Sequence, residues 1–383
     1  MWKKLAVSML STILLMGSAV TAFAQEPSGT TATTATEAAP AQEKAAAPAS
    51  HEQKIVINLA ARSLALMRDN AKYRLYPIGP GTAETPTPTG FYKILSKDVN
   101  PTWTSPSSGV SIPSGPDNPL GYRWMQFQGN YGIHGTNKPD SVGHYVSNGC
   151  VRMHESDVEE LFDLVDVGTP VEITYNRVVV EKIPDNTVVY YIYPDGYSCQ
   201  PLEAEDVAKW LDGFGVAGFV SDEDIEKKIE ASDGEPTYIA KVYQLKVNGK
   251  LQKGKAVYQD YKYYLPAIDL ADATGVQLGW AAEKQMLYST YGKAVGYDKR
   301  DVLYCDSQGV AALYHLKGEL KDNVYELTTI NEAEAAPAAK AEPQTQKSLQ
   351  EIYKEATKDG HTVTGDTKAK DAKAAASKSE KSR

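Results

Sequence analysis

The stretch Ile133-His134-Gly135-Thr136, followed by Ser147-Asn148-Gly149-Cys150-Val151-Arg152-Met153, brings a histidine and a cysteine into one short run of chain. A protonated thiol is a poor nucleophile, so a cysteine that attacks carbonyl carbon needs a base or a fixed positive charge beside it. Cys150 is the candidate nucleophile and His134 the candidate general base. The small residues ahead of the sulfur leave the backbone N–H groups of Gly149 and Cys150 as expected oxyanion donors, with Ser147, Asn148 and Gly135 as residues that hold or orient the site. This pattern points to acyl transfer.

Outward from this stretch the chain reads as strands. Lys54–Leu59 and Ser63–Met67 have the spacing of a hairpin, Tyr73–Gly79 continues the sheet, and Phe91–Leu95 follows the stiff turn Thr85–Gly90. From Pro101 to Gly121 the chain is rich in Pro, Ser and Gly without periodicity, as expected of a substrate-binding loop or lid. Downstream of the cysteine, Val158, Leu161, Phe162 and Val165 fall on one helical face, with Ser156 and Glu159 as an expected capping box and Gly168 as the expected C-cap. Pro170–Tyr175 returns as a strand. A mostly β domain with one packed helix is expected over residues 51–175.

Residues 176–235 are expected to form a connecting α+β segment, with strands at 178–180 and 188–193 and helices near 203–213 and 221–230. Residues 236–330 then show short, Tyr-rich strands, with Asn248-Gly249 as a hairpin signal, and are expected to form a second small β-rich domain.

The ends have a different character. Met1–Ala24 carries Lys3-Lys4, an apolar run from Leu5 to Val20 and the small-x-small triplet Ala22-Phe23-Ala24, the pattern of a secretory signal peptide. The expected location is therefore beyond the cytoplasmic membrane, in the periplasm or cell wall. Residues 25–50 are an Ala/Thr/Pro linker with too few large apolar residues to offset ordering entropy, and 331–383 is an Ala/Lys/Glu tail whose only helical signal is at 348–358. Its last part, from His361, carries a basic excess suited to contact with an anionic wall polymer. A net charge of -9 argues against nucleic acid as the principal partner. Three cysteines leave at least one unpaired; Cys150 is expected to be that one, with Cys199 and Cys305 the candidates for a disulfide.

On these residues the chain resembles the L,D-transpeptidases of bacterial cell walls, the YkuD-type family. The likeness rests on the His134 and Cys150 elements together with Thr87-Pro88-Thr89-Gly90-Phe91-Tyr92 and Gly115-Pro116-Asp117-Asn118-Pro119-Leu120-Gly121, and covers about residues 52–175. It implies a β-sandwich catalytic domain, attack by the Cys150 thiolate on a donor peptidoglycan stem peptide, His134 as base and acid, and an amine of an acceptor stem resolving the thioester. It also implies acylation by carbapenem-type β-lactams and no metal or organic cofactor. The chain departs from many members at Asn148, where they carry histidine, and at Arg152, where they often carry asparagine; Arg152, Thr136 and His144 are the candidate substrate contacts. Tyr92, Trp103 and Trp124 are candidates for the groove wall. The run Val247–Ala267 is similar to the small domain at the N-terminus of copper amine oxidases, without implying copper, since His315 is the only imidazole there.

Other readings are distinct. If water resolves the thioester, the same residues give an L,D-carboxypeptidase; if the site is inert, the long tails and second domain suit a non-catalytic wall-binding surface protein. A zinc site from His134, His144, Cys150 and His154 lacks the close ligand pairs of such sites.

Overall fold

Alternation of fully buried aliphatic residues with partly exposed ones builds the first sheet of the structure, a computed structural model that describes residues 52–331. The expected signal peptide, the 25–50 linker and the tail beyond Asn331, with its helical stretch at 348–358, lie outside the described residues. In chain order the N-terminal part contains β1 (Gln53–Asn58), β2 (Ser63–Arg68), β3 (Ala71–Pro77), β4 (Gly90–Lys93), β5 (Ser96–Val99), β6 (Trp103–Thr104), β7 (Ser111–Ile112), β8 (Arg123–Gln128), β9 (Tyr131–His134), β10 (Val151–Arg152), α1 (Glu155–Leu164) and β11 (Pro170–Thr174).

One sheet runs β3-β2-β1-β11-β4 and a second runs β10-β9-β8-β5. The β1–β2 hairpin pairs from Asn58↔Ser63 out to Gln53↔Arg68. This register turns Ile55, Ile57, Leu64 and Leu66 to one side, all fully buried. They meet Met125, Phe127, Ile133 and Val151 from the second sheet and Val158, Leu161 and Phe162 from α1 in a single core. The chain is therefore mostly β, and this part is a sandwich of two sheets with one packed helix.

The helix starts differently from its sequence signal. Its N-cap is His154 with no side-chain cap, and Ser156 Oγ instead faces Asp157, so the expected Ser156–Glu159 capping box does not form. The far end is capped at Val165 rather than Gly168, whose positive φ of 97° serves the turn into β11. Lys97 on β5 donates to the carbonyls of Phe162 and Val165, both at 2.6 Å, which satisfies helix-end acceptors that would otherwise be orphaned.

The 101–121 stretch is a fixed feature rather than an irregular loop: β6 and β7 form a short hairpin inside it. Asn118, fully buried, donates through Nδ2 to the Pro101, Ile112 and Pro113 carbonyls and accepts the Leu120 N–H at 2.8 Å.

Beyond β11 come β12 (Val178–Lys182), β13 (Thr187–Ile192), α2 (Ala204–Asp212), α3 (Asp222–Ala231), β14 (Thr237–Val247), β15 (Lys250–Gln259), β16 (Lys262–Pro266), α4 (Ala267–Thr274), β17 (Leu278–Ala281), β18 (Met286–Ser289), β19 (Lys293–Lys299), β20 (Val302–Asp306), α5 (Ser307–Tyr314), β21 (Leu316–Lys321) and β22 (Val324–Thr329). The expected break at residue 235 is not a break in the sheet, because β12 pairs with β13 and β13 pairs directly with β14. Residues 176–235 therefore share a sheet with the strands that follow and are no separate connector; α2 and α3 supply Val207, Leu211 and Ile225 to the same core as Val242 and Val257. The Asn248-Gly249 turn has positive φ at both residues, 48° and 77°, as a two-residue hairpin of this hand requires.

A pattern absent from the sequence reading emerges here: strand-strand-helix-strand-strand occurs twice, as β15-β16-α4-β17-β18 and β19-β20-α5-β21-β22. Gly275 and His315 occupy the same left-handed helix C-cap in the two copies. Cys199 is exposed and Cys305 buried, and both are free thiols, so the candidate disulfide is not formed. Among the described residues no helix is long and apolar enough to cross a membrane.

Removing the Asn118 side chain leaves three carbonyls and one N–H without their partner. Asn118→Ala is expected to lower the unfolding free energy by about 2 kcal/mol, read as a shifted urea midpoint, and to open 101–121 to limited proteolysis; an unshifted midpoint would show that the amide does not pin this loop.

Candidate active site

Parallel pairing of β9 and β10 sets the geometry, with Ile133 opposite Val151 and His134 opposite Arg152. Side chains alternate along a strand, so Ile133 and Val151 point into the core while His134, Gly132, Arg152 and Cys150, the residue before β10, share the other face. Trp124 on β8 pairs with His134 from the antiparallel side and stacks on its ring, with centroids 5.7 Å apart. A Cβ at Gly132 would collide with the Trp124 indole, so only glycine fits between that ring and the sulfur-bearing segment.

His134 is buried, with 4% of its surface exposed. Its Nδ1 lies 2.6 Å from the Gly135 carbonyl oxygen, which can only accept, so Nδ1 carries the proton and Nε2 is left with a free lone pair. Burial pushes the imidazole down to about 4, with the Arg152 charge adding to the effect and the Gly135 carbonyl opposing it. The ring is therefore neutral near pH 7 and equipped to accept a proton.

Burial also raises the Cys150 thiol, against the pull of the Gly132 N–H and the Arg152 charge. The sulfur faces the Asn130 carbonyl at 3.6 Å. No hydrogen bond joins it to His134 among the described residues, so the resting pair is a neutral thiol beside a neutral imidazole. Arg152 is half-buried, and its Nε is buried without a hydrogen-bond partner, a cationic donor on the same face as the sulfur.

The backbone before the cysteine corrects one expectation. The Gly149 N–H donates to Ser147 Oγ at 3.1 Å, and Ser147 Oγ donates in turn to the Cys150 carbonyl at 2.5 Å. Gly149 N–H is already committed and is not an available oxyanion donor, while Ser147 is the brace of the turn. Of the two expected donors this leaves the Cys150 N–H. Gly149 has φ of 106°, and a Cβ there would run into the Tyr131 ring, which explains glycine at this position. Asn148 is exposed.

The other candidates fall into two groups. Thr136 is buried with its hydroxyl accepting the Lys138 N–H at 3.1 Å, so it holds a turn rather than facing substrate, and His144 is exposed beyond the Pro139–Ser141 turn. Among the described residues no three His, Cys, Asp or Glu side chains gather as a metal site.

Residues outside the sequence motifs complete the site. The 79–87 loop cradles the segment before the cysteine: Ser147 N–H donates to the Pro80 carbonyl, Thr82 N–H donates to the Ser147 carbonyl, and Gly81 lies against the Gly149 Cα. That loop is held from the next part of the chain by Tyr197, whose hydroxyl donates to the Gly81 carbonyl at 3.0 Å and accepts the Thr87 N–H at 3.3 Å. Tyr197 stacks on Tyr175 with centroids 4.9 Å apart. Position along the chain gives no hint of this contact; Gly132 and Trp124, by contrast, follow from strand periodicity once His134 is placed.

The family profile of the YkuD L,D-transpeptidase catalytic domain matches residues 52–173. The Bacillus subtilis (strain 168) protein YqjB is 39% identical over 136 residues, covering 34% of this chain and 75% of that one. The YkuD protein of the same organism is 38% identical over 124 residues, 32% of this chain and 65% of its own length, and ErfK/SrfK of Escherichia coli (strain K12) is 35% identical over 156 residues, 37% of this chain and 47% of its own. An L,D-transpeptidase structure from Mycobacterium smegmatis shares 21% identity, covering 32% of this chain and 59% of that one, at a TM-score of 0.29, too low to bear on the architecture. The matched region holds both the His134 and the Cys150 elements, and three quarters of YqjB aligns with it at this identity: the chain belongs to the YkuD-type L,D-transpeptidase family.

Proposed function

We propose that this chain is exported across the cytoplasmic membrane and acts in the periplasm or cell wall as a cysteine-dependent L,D-transpeptidase that cross-links peptidoglycan stem peptides. The observation that carries the reading is the shared face of β9 and β10, on which Cys150 sits beside an imidazole whose Nδ1–H is tied to Gly135 and whose Nε2 is free to take a proton. The export step rests on the Lys3-Lys4, Leu5–Val20 and Ala22-Phe23-Ala24 pattern.

In the reaction the Cys150 sulfur turns from Asn130 toward the scissile carbonyl of the third, diamino-acid residue of the donor stem. His134 Nε2 takes the thiol proton as the S–C bond forms, and the Cys150 N–H faces the developing oxyanion. Collapse breaks the C–N bond; His134 returns the proton to the departing D-amino acid, leaving a thioester on Cys150. The acceptor-stem amine then attacks the thioester, His134 removes its proton, and the free thiol is restored. Arg152, a fixed cation beside the sulfur, suits a stem-peptide carboxylate. If water takes the acceptor's place, the same steps hydrolyse the stem, and release of D-amino acid without cross-linked dimer would identify that outcome.

Incubating the mature chain with a carbapenem and weighing it intact tests the nucleophile and base together. One adduct is expected on wild type, none on Cys150→Ala, and acylation slowed by about a hundredfold or more in His134→Ala. No adduct on any form, with stem peptides also unreacted, would favour a non-catalytic wall-binding protein.

The acid limb of the same reaction follows from the buried histidine. Protonated His134 cannot act as base, and because its folded value is held down to about 4 instead of the ordinary 6.5, acylation is expected to stay level as the pH falls through 6.5 and to be halved only near pH 4. A half-fall near pH 6.5, with far-UV dichroism unchanged, would mean that the imidazole is solvated in the working enzyme.

A further inference from the structure

Glu155, the first residue of α1, is a half-buried carboxylate that the steps above do not use. Its Oε1 accepts the Tyr122 N–H at 2.7 Å. The carboxyl group lies so close to the Cα atoms of Gly121 and Gly135 that a side chain at either position would collide with it. It is thus wedged between the approach to β8 and the residue that follows His134. Burial raises its pKa, opposed by backbone hydrogen bonds from Tyr122 and Thr136 and by the Arg123 charge, while Glu159 on the same helix adds to the rise. Arg123 in turn is paired with Glu159 at 3.3 Å.

The Gly135–Thr136 peptide is the connection. Its carbonyl accepts from His134 Nδ1 at 2.6 Å, and on its other side the Glu155 carboxylate lies against the Gly135 Cα, with the Thr136 N–H favouring the charged form. One peptide unit therefore has the imidazole on its oxygen side and the Glu155 carboxylate packed against its other side, at the Gly135 Cα. A carboxylate in that place fixes the peptide plane, and it polarises the C=O so that the carbonyl is a stronger acceptor for Nδ1–H.

We propose that Glu155 is a positioning residue for His134, acting through the Gly135–Thr136 peptide to fix the imidazole tautomer and to stabilise the imidazolium that forms when the Cys150 proton is taken up. The sequence His134 Nδ1–H, Gly135 C=O, Thr136 N–H, Glu155 carboxylate places a negative charge one peptide away from the ring. No proton leaves Glu155; its contribution is orientation and field. The location at the start of a helix favours the charged carboxylate there.

This rests on the reading of His134 as the base, and the test separates the two. Glu155→Gln keeps the shape and one acceptor oxygen but removes the charge. It is expected to fold with a melting temperature near that of wild type and to be acylated by a carbapenem about tenfold more slowly. The two rates are compared at neutral pH, and Arg152 and Cys150 face His134 unchanged in both proteins. In ¹⁵N spectra of the imidazole, wild type should show the Nδ1–H tautomer alone and Glu155→Gln a mixture. A Glu155→Gln protein with the wild-type rate and tautomer would overturn the proposal and leave Glu155 a loop brace. Should that variant not fold, Glu155→Asp, which draws the charge back by one methylene, is expected to slow acylation, and a wild-type rate there would also overturn it. If wild type itself forms no adduct, the transpeptidase reading fails, and the tautomer comparison still decides the role of Glu155.

Discussion

Everything in the site depends on the register between Tyr131–His134 and Val151–Arg152. Parallel pairing with His134 opposite Arg152 sets the two ends of one short run of chain side by side and sends Ile133 and Val151 to the core. A slip of β10 by one residue against β9 would turn the Cys150 sulfur into the apolar interior and bring the Val151 side chain out of it. Burial of Ile133 and Val151, both without exposed surface, therefore holds Cys150 and His134 on one face as well as stabilising the fold. The core and the site are two faces of one short ladder.

A two-residue strand such as β10 has little stability of its own, and its surroundings hold it. Arg152 exchanges backbone hydrogen bonds with Gly79, at 2.8 and 2.9 Å, so the strand is bonded on both edges. The turn ahead of it is fixed from inside by Ser147 and from outside by the 79–87 loop. Tyr197, from beyond the residues matched by the family model, holds that loop, so the position of Cys150 depends in part on residues outside 52–173. Asp195 accepts from Tyr175 at 2.7 Å and from the Cys199 and Gln200 N–H groups, so the segment carrying Tyr197 is itself well tied.

What was legible in the sequence was what periodicity and residue type encode. The β1–β2 hairpin, the apolar face of α1, the helices at α2 and α3 and the Asn248-Gly249 turn all stand where local pattern places them. Contacts set by distant chain were not legible. Lys97 as the cap of α1 and the engagement of Gly149 N–H by Ser147 depend on where two segments meet in space. The doubled strand-strand-helix-strand-strand unit was hidden for another reason. The string Gly-Lys-Ala-Val recurs at 254–257 and 292–295, but the shared features are backbone ones: left-handed turns at Asp260-Tyr261 and at Arg300-Asp301, and left-handed helix ends at Gly275 and His315. Different side chains adopt the same conformations there, so the likeness is strong in φ and weak in letters.

Burial of the imidazole sets a problem that the surrounding groups answer. Holding His134 near 4 and raising Cys150 keeps both neutral, so the resting site carries no ion pair and the thiol is protected from adventitious chemistry. In the proposed reaction the cost is that proton transfer creates a thiolate and an imidazolium in a poorly solvated place, where unpaired charge is expensive. The site offers a partner for each: the Gly132 N–H and the Arg152 charge favour the anionic sulfur, and the Gly135 carbonyl favours the cationic ring. Neither partner requires motion, since all three lie on or directly after the paired strands. Charge separation is therefore unfavourable without substrate and becomes accessible when an electrophilic carbonyl can take the sulfur's electron pair as the proton leaves.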